Sequence, residues 1–208
     1  MESKSVLLVA NGEIFSYPFL KTMYVDYDYL IAIDGGARHL FEIELEPDFV
    51  IGDMDSEVHS THDIQSLEEI TVTTQNDSDL VKALRWCNAQ GYSSVDLIGV
   101  ENGRSDHIIG TYAAIAEANV DIQLKVHLND FIVHVLGRGD SISLKVEAGK
   151  IISAFALLGC KGLSISGTKW NLDDAELEFS TTGLHNESIG GNIDVSLSSG
   201  RLALFIQR

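Results

Sequence analysis

The pattern of apolar residues changes near residue 129, and this change sets what the chain can fold into. Up to residue 128, short apolar runs alternate with segments whose apolar residues recur at helical spacing. That alternation is typical of parallel sheets covered by helices. The apolar runs expected to form strands are residues 6–10, 29–33, 49–51, 70–73, 95–99 and 122–128.

From about residue 130, strand-like segments follow one another closely and are separated by Gly, Asn and Asp. The expected strands are IVHVL, SISLKV, KIISAFAL, LSIS, ELEFS, NIDVSLS and RLALFIQ. Closely spaced strands with turn residues predict an antiparallel sandwich-like or barrel-like module. We therefore expect an α/β plus β protein: residues 1–128 form a Rossmann-like parallel α/β domain, and residues 129–208 form an antiparallel β-sandwich-like domain.

Composition narrows the classes of partner. The net charge of −17 disfavours nucleic acid, because a polyanion repels an acidic surface. The longest apolar runs are far shorter than the roughly 20 residues of a membrane span. The two cysteines, Cys87 and Cys160, show no pairing or metal-binding spacing and are expected to be buried thiols. These features, with an N-terminus that has no signal-peptide pattern, predict a cytoplasmic protein.

Five aspartates follow strand-like runs of the first domain: Asp34, Asp53, Asp55, Asp79 and Asp106. The carboxyl ends of parallel strands face one crevice, so acids from distant segments can converge there. Such a cluster repels itself unless it holds a cation, and carboxylates with phosphate oxygens are ligands that Mg²⁺ prefers. Each acid alone has an ordinary structural explanation, such as favourable placement of Asp79 at a helix start. Together they predict a metal-nucleotide site.

Two glycine turns strengthen that prediction. Gly35 and Gly36 precede a short helical segment and allow a ligand to approach the backbone closely. The segment Gly103–His107 places Arg104 and Asp106 at a helix start, where backbone N–H groups and a guanidinium suit phosphate. The sequence has neither a Walker A pattern nor Gly-x-Gly-x-x-Gly, so the common phosphate-loop and dinucleotide motifs are unsupported.

In the second domain, Trp170 lies beside polar residues in the segment Gly167–Leu172. An indole in such a segment can stack on a flat, cationic ring, although a tryptophan in the core is the ordinary alternative.

In chain order, these motifs resemble the thiamine pyrophosphokinase family over nearly the whole chain. The resemblance is carried by Asp34–Ala37, Gly52–Ser56, Ser78-Asp79 with Lys82, Gly103–His107 and Lys169–Leu172. It implies transfer of pyrophosphate from ATP to the hydroxyl of thiamine, with Mg²⁺, giving thiamine diphosphate and AMP. It also implies a homodimer whose thiamine site lies at the subunit interface.

The resemblance assigns roles to individual residues. Asp53, Asp55 and Asp79 are implied as metal-binding and catalytic acids. The residues implied around the nucleotide are Asp34, Gly35, Gly36, Lys82, Gly103, Arg104 and Asp106. Trp170, His185 and Asn186 are implied at the thiamine site. The chain departs from the family pattern at Asn76, where an acid is common, at Asn102, where glycine is common, and at His185, where serine is common.

Two alternatives remain open from the sequence. One is a pyrophosphokinase that uses the same ATP site on another hydroxymethyl acceptor, such as a pterin. The other is a nonenzymatic sensor of thiamine or nucleotide, for which the acid cluster is a costly feature to retain.

Overall fold

The computed structural model describes residues 4–52, 68–70, 77–101 and 104–208, and residues 68–70 by backbone only. The chain divides into two compact units. The first contains Met1–Ile122 and His127–Asn129, and the second contains Gln123–Val126 and Asp130–Arg208. Strand β6, Gln123–His127, thus contributes residues to both.

The first unit is built on parallel strands. These are β1 (Ser5–Val9), β2 (Tyr29–Ile33), β3 (Phe49–Ile51), β4 (Glu68–Ile70) and β5 (Ser94–Ile98). Their order is β4-β3-β2-β1-β5, and each neighbouring pair runs parallel. Strands β2, β3 and β4 extend from β1 toward one edge of the sheet, and β5 then lies on the other side of β1. This reversal of strand order makes the carboxyl ends of β1 and β5 a switch point, where α/β sheets bind ligands.

In the described part of the unit, four α-helices accompany these strands: α1 (Tyr17–Met23), α2 (Ala37–Glu42), α3 (Asp79–Ala89) and α4 (Ser105–Ala118). Helix α3 begins with a side-chain cap, because Ser78 Oγ accepts a hydrogen bond from Val81 N at 3.4 Å. That helix ends before Gly91, whose φ of 78° suits glycine. The apolar residues of α4 are only partly buried: Ile115 is inaccessible, whereas Ile109 is 74% exposed.

The second unit is antiparallel. Its remaining strands are β7 (Phe131–Leu136), β8 (Ser141–Val146), β9 (Ile151–Ser166), β10 (Leu172–Leu177), β11 (Asn186–Glu187), β12 (Gly191–Ser196) and β13 (Ser199–Gln207). Strand β13 pairs with β7 and β9, and β12 pairs with β8 and β9. Side chains of six of these strands, β7 to β10 with β12 and β13, form one apolar core.

Strand β9 corrects the expected strand pattern. The segments KIISAFAL and LSIS were predicted as separate strands, but Ile151–Ser166 forms one strand of 16 residues. It continues through Gly162, whose φ of 63° bends the backbone. Strand β10 pairs with β9 both before and after this glycine, and β13 pairs with the part before it. Strand β10 also starts earlier than the predicted ELEFS segment, and β11 was not predicted.

Most other predicted strands are confirmed within a residue or two. Strands β2, β3 and β8 have the predicted bounds, because their apolar patterns end abruptly at turn residues. The segment 70–73 contributes Ile70 to β4, and its remaining residues lie outside the described ranges. Both cysteines are free and buried as predicted, and burial raises the pKa of Cys87 to about 12 and that of Cys160 to about 11.

Candidate functional site

The first unit contains a cavity of about 990 Å³ at the ends of three parallel strands. The segment after β1 lines it from Ala10 to Ile14 and at Tyr17. The segments after β2 and β5 contribute Asp34 and Gly99, and helix α4 closes another side. The cavity therefore lies at the switch point of the sheet and has the size of an ordinary ligand site.

Glycines permit the close packing under this cavity. A Cβ atom on Gly36 would lie 2.0 Å from the carbonyl oxygen of Val9, and one on Gly35 would lie 2.5 Å from Asn11 Nδ2. Both glycines are buried, and they bring the turn after β2 against the end of β1. Asp34 precedes them with a φ of 49°, a left-handed conformation that aspartate tolerates, and it lines the cavity. The two predicted glycines therefore support the cavity, and Asp34 lies on its wall.

Four further residues of this wall were missed by the sequence analysis. Arg38 Nη2 donates to the carbonyl oxygen of Asn11 at 3.0 Å, and Tyr17 Oη lies 2.8 Å from His39 Nδ1. Burial lowers the pKa of His39, and Arg38 lowers it further, so the imidazole is kept neutral. Asn11 Oδ1 is buried without a hydrogen-bond partner among the described residues. Asn11 follows β1 just as the predicted acids follow their strands, and that position was the available signal.

Arg104 and Asp106 lie on the same cavity and bind each other. Arg104 Nη2 donates to Asp106 Oδ2 at 2.7 Å, and Arg104 Nε donates to Asp106 Oδ1 at 3.2 Å. This hydrogen-bonded guanidinium lowers the pKa of the Asp106 carboxyl. Both side chains are exposed, so the pair is open to exchange partners with a phosphate.

Asp79 and Lys82 form a separate pair on α3. Lys82 Nζ donates to Asp79 Oδ1 at 2.8 Å, with both side chains mostly buried. The neighbours of Asp79 in sequence, Ser78 and Leu80, line the cavity, whereas Asp79 and Lys82 are not among its lining residues. Asp79 therefore stands in the sequence between two residues of the cavity wall, and its carboxylate pairs with the predicted Lys82.

The predicted residues Asp53, Asp55 and Gly103 lie outside the described ranges, as do Asn76 and Asn102. Within residues 4–52, 77–101 and 104–208, no three His, Cys, Asp or Glu side chains form a cluster able to hold a metal ion. No helix of the described chain is long and apolar enough to cross a membrane.

The second unit has its own cavity, of about 300 Å³. The three residues implied at the acceptor site, Trp170, His185 and Asn186, all line it. Apolar side chains of β9 and β10, among them Ile152 and Leu172, form much of the remaining wall. The structure thus brings together the whole predicted set, although from the residues alone only Trp170 carried a signal.

Asn186 fixes the backbone that carries the tryptophan. Its Oδ1 accepts from Trp170 N at 3.2 Å, and its Nδ2 donates to the carbonyl oxygen of Trp170 at 2.7 Å. The same Nδ2 lies 3.1 Å from Thr168 Oγ1. With its amide engaged in this way, Asn186 holds the loop while the indole of Trp170 remains 64% exposed. The arrangement presents an aromatic face beside an apolar cavity.

These features define a protein of two parts, in which a parallel α/β unit with a polar, charged cavity is joined to an antiparallel unit with an aromatic cavity. Family profiles identify both parts. Residues 20–128 match the catalytic domain of thiamin pyrophosphokinase, and residues 141–202 match the vitamin B1 binding domain of the same enzyme. The chain belongs to the thiamin pyrophosphokinase family.

Solved structures agree on the fold. The thiamine pyrophosphokinase of Bacillus subtilis is 20% identical, with a TM-score of 0.78 over 98% of this chain and 99% of that chain. The thiamin pyrophosphokinase of Candida albicans is 15% identical, with a TM-score of 0.77 over 99% of this chain and 89% of that chain. The yeast enzyme, also 15% identical, gives 0.72 over 100% and 87%. A search among curated protein sequences finds no match.

Proposed function

We propose that this protein transfers the pyrophosphoryl group of ATP to the hydroxyl of thiamine, forming thiamine diphosphate and AMP. The observation that carries the proposal is the pairing of two family matches, catalytic and vitamin-binding, with two cavities of opposite character. A charged cavity suits a polyphosphate, and an aromatic, apolar cavity suits a flat cationic ring.

We assign ATP to the cavity of the first unit. Arg104 and Arg38 supply positive charge on its wall. The glycine turn at Gly35 and Gly36 keeps the backbone after β2 close to the end of β1. The buried Oδ1 of Asn11 is an acceptor with no hydrogen-bond partner in the described chain, and a bound donor group would satisfy it. A nucleotide therefore fits the residues present. Lys82 would contribute charge through its contact with Asp79.

We assign Mg²⁺ to Asp53, Asp55 and Asp79, with Asp34 and Asp106 nearby. The donor set is chemically right, because hard carboxylate oxygens together with substrate phosphates form the usual shell of this ion. A bound Mg²⁺ would neutralise charge on the phosphate oxygens. Asp34 on the cavity wall supports the assignment from the described residues, and Gly103 would shape the backbone before Arg104.

The reaction balances without further reactants. The oxygen of the thiamine hydroxyl forms a bond to the β-phosphorus, and the bond from that phosphorus to the bridging oxygen of AMP breaks. The hydroxyl proton passes to Asp55 or Asp79, and Arg104 stabilises charge on the phosphates. Most of the rate enhancement in such a transfer comes from alignment and charge neutralisation.

We assign thiamine to the cavity of the second unit, with Trp170 stacking on one ring of thiamine and Asn186 holding the tryptophan loop.

These assignments give each domain a role: residues 1–128 bind ATP and metal, and residues 129–208 bind thiamine and form the dimer contact. Residues 1–128 would be Rossmann-like, which the strand order β3-β2-β1-β5 supports. Residues 129–208 would be sandwich-like. Strand β9 supports this, because its first part pairs with β11 and β13 and its last part pairs with β10 and β12.

We further propose a cytoplasmic homodimer whose thiamine site includes residues of a partner subunit. The second unit exposes the apolar side chains of Trp170, Leu184 and Ile189, which supports the proposal that a partner subunit covers this surface. Light scattering of the purified protein tests the dimer, and a fully active monomer would refute it.

The test of function is an assay with ATP, Mg²⁺ and thiamine in which AMP and thiamine diphosphate are measured together. We expect equimolar formation of both products. AMP formation with a hydroxymethyl pterin but not with thiamine would mean that the acceptor is a pterin. Binding of thiamine without AMP formation would identify a sensor.

A further inference from the structure

Two arginines line the cavity of the first unit, and they differ in what they contact. Arg104 donates two hydrogen bonds to the carboxylate of Asp106, at 2.7 Å and 3.2 Å. Arg38 donates to a neutral group, the carbonyl oxygen of Asn11, at 3.0 Å. Among the described residues, no carboxylate forms an ion pair with Arg38. The charge of Arg104 is therefore compensated by a direct partner, whereas that of Arg38 is not.

The backbone holds Arg38 near the carboxyl ends of β1 and β2. It is the second residue of α2, directly after the turn that contains Gly35 and Gly36. Close packing of these glycines against Val9 and Asn11 fixes the turn at the end of β1. The side chain of Arg38 is exposed, and its bond to the Asn11 carbonyl uses one of several N–H donors of the guanidinium. The remaining donors are open to a ligand in the cavity.

The other charged groups of the described wall make this guanidinium important for an anionic ligand. The carboxylates and guanidinium groups there belong to Glu13, Asp34, Arg38, Arg104 and Asp106. Because Arg104 and Asp106 neutralise each other, Glu13 and Asp34 outnumber the one remaining cation of this set. His39 adds no positive charge, since burial and the charge of Arg38 lower its pKa. Arg38 is therefore the wall arginine that meets a phosphate without first leaving a carboxylate.

We propose that Arg38 is the principal phosphate-binding arginine of the first cavity and contributes more to nucleotide affinity than Arg104 does. The inference rests on the proposed function, since it takes ATP as the occupant. A phosphate bound by Arg104 has to replace or share the contact with Asp106, which offsets part of the gain. A phosphate bound by Arg38 adds charge-assisted hydrogen bonds while the bond to the Asn11 carbonyl is kept.

The experiment is calorimetric titration of the full-length protein with α,β-methylene-ATP and Mg²⁺, without thiamine. A methylene group in this analogue replaces the bridging oxygen whose bond breaks in the proposed transfer, so the ligand stays intact. Arg38→Gln removes the charge and keeps a donor for the Asn11 carbonyl. We expect Arg38→Gln to weaken binding by about thirtyfold and Arg104→Gln to weaken it by about tenfold or less.

Two further variants separate the charge of Arg38 from a structural role. Arg38→Lys keeps a positive charge but loses the planar guanidinium, so its affinity should lie between those of the unaltered protein and Arg38→Gln. Added salt should weaken binding by Arg38→Lys more steeply than binding by Arg38→Gln, because salt screens exposed charges. Arg138→Gln removes an exposed arginine of the turn between β7 and β8, which does not line the cavity, and should bind as the unaltered protein does.

Three results would overturn the inference while leaving the proposed function intact. The first is an affinity of Arg38→Gln within twofold of that of the unaltered protein. The second is a loss in Arg104→Gln that equals or exceeds the loss in Arg38→Gln. The third is binding by Arg38→Lys that is as weak, and as insensitive to salt, as binding by Arg38→Gln, which would give Arg38 a structural role. Absence of nucleotide binding by the unaltered protein would instead overturn the proposed function, and this inference with it.

Discussion

The two cavities of this protein are built from different kinds of side chains. The wall of the first includes Arg38, Arg104, Asp34 and Asp106, and its volume is about 990 Å³. The wall of the second is mainly apolar and aromatic, with His185 as its ionisable member, and its volume is about 300 Å³. The contrast matches two unlike ligands, because polyphosphates need cationic donors and flat rings need aromatic faces.

The two cavities also arise differently from the chain. The first lies where parallel strands end, so residues distant in sequence meet there through sheet topology alone. The second lies between loops and the faces of antiparallel strands, and hydrogen bonds of Asn186 and Ser153 position its loops. A change in the first should therefore affect phosphate chemistry, and a change in the second should affect recognition of the acceptor.

The largest expected effect concerns the acids of the first domain. Asp53→Asn or Asp55→Asn should lower kcat for AMP formation by about a hundredfold or more, the scale for losing one group that stabilises transition-state charge. The fold should survive, because each change keeps the shape of the side chain. Initial rates with saturating ATP and thiamine measure the effect.

Asp121→Asn, an exposed acid at the end of the turn after α4, is the control and should leave the rate unchanged. Near-normal Mg²⁺-dependent turnover by both Asp53→Asn and Asp55→Asn would remove these residues from the metal site.

The next effect should separate the two cavities. Arg104→Ala should raise the KM for ATP by about tenfold, because a charge-assisted hydrogen bond to phosphate is lost, while the affinity for thiamine stays within twofold. It should also let the pKa of Asp106 rise toward its ordinary value, since the guanidinium now lowers it. Steady-state kinetics and NMR titration measure the two changes.

Arg85→Ala is the matched control, because Arg85 pairs with Asp77 at 2.7 Å and does not line the cavity. An unchanged KM and kcat in Arg104→Ala would exclude Arg104 from the phosphate site.

The converse change lies in the second cavity. Trp170→Ala should weaken thiamine binding by about two- to thirtyfold, the equivalent of losing a cation–π contact of about 0.5–2 kcal/mol, and should leave ATP binding nearly intact. Phe179→Ala removes another exposed aromatic side chain of the same unit, one that does not line the cavity, and serves as the control. Unchanged thiamine affinity in a folded Trp170→Ala variant would make the tryptophan a packing residue.

The fold was largely predictable because its apolar patterns are local. Strand β2 has the predicted bounds, since they depend on the apolar pattern of neighbouring residues. The length of β9 was not predictable from Gly159 and Gly162, because pairing with β10 and β13 continues the strand through glycines that usually end one. Sheet pairing therefore overrode a correct local signal.

The candidate sites show the same limit. Asp34 and Asp106 were expected on one crevice from strand-end position, and both line the first cavity. Tyr17 and His39 were missed, because their hydrogen bond joins residues on two helices that carry no motif. His185 and Asn186 were reached only through the family resemblance, since nothing in their own sequence marks a cavity formed by folding a loop onto β9.

The smallest expected effect compares the histidines of the two cavities, because His39 is buried whereas His185 is exposed. The folded pKa of His39 is lowered by burial and by Arg38, so an unfolded chain takes up a proton there as pH falls below about 6.5 while the folded chain does not. Proton uptake by the unfolded state alone lowers the free energy of unfolding, so stability decreases as pH falls through this window.

His39→Gln removes that proton site and should make the free energy of unfolding fall less steeply between pH 7 and pH 5.5, by at most about 1 kcal/mol. Urea denaturation at the two pH values gives the slope, and the same measurement on His185→Asn provides the comparison for an exposed imidazole. A glutamine at position 39 can still bond to Tyr17 Oη, so loss of that contact does not dominate the result. A slope in His39→Gln equal to that of the unaltered protein would mean that the imidazole of His39 gains its proton equally in both states, and the first cavity would then hold a cationic histidine below about pH 6.5.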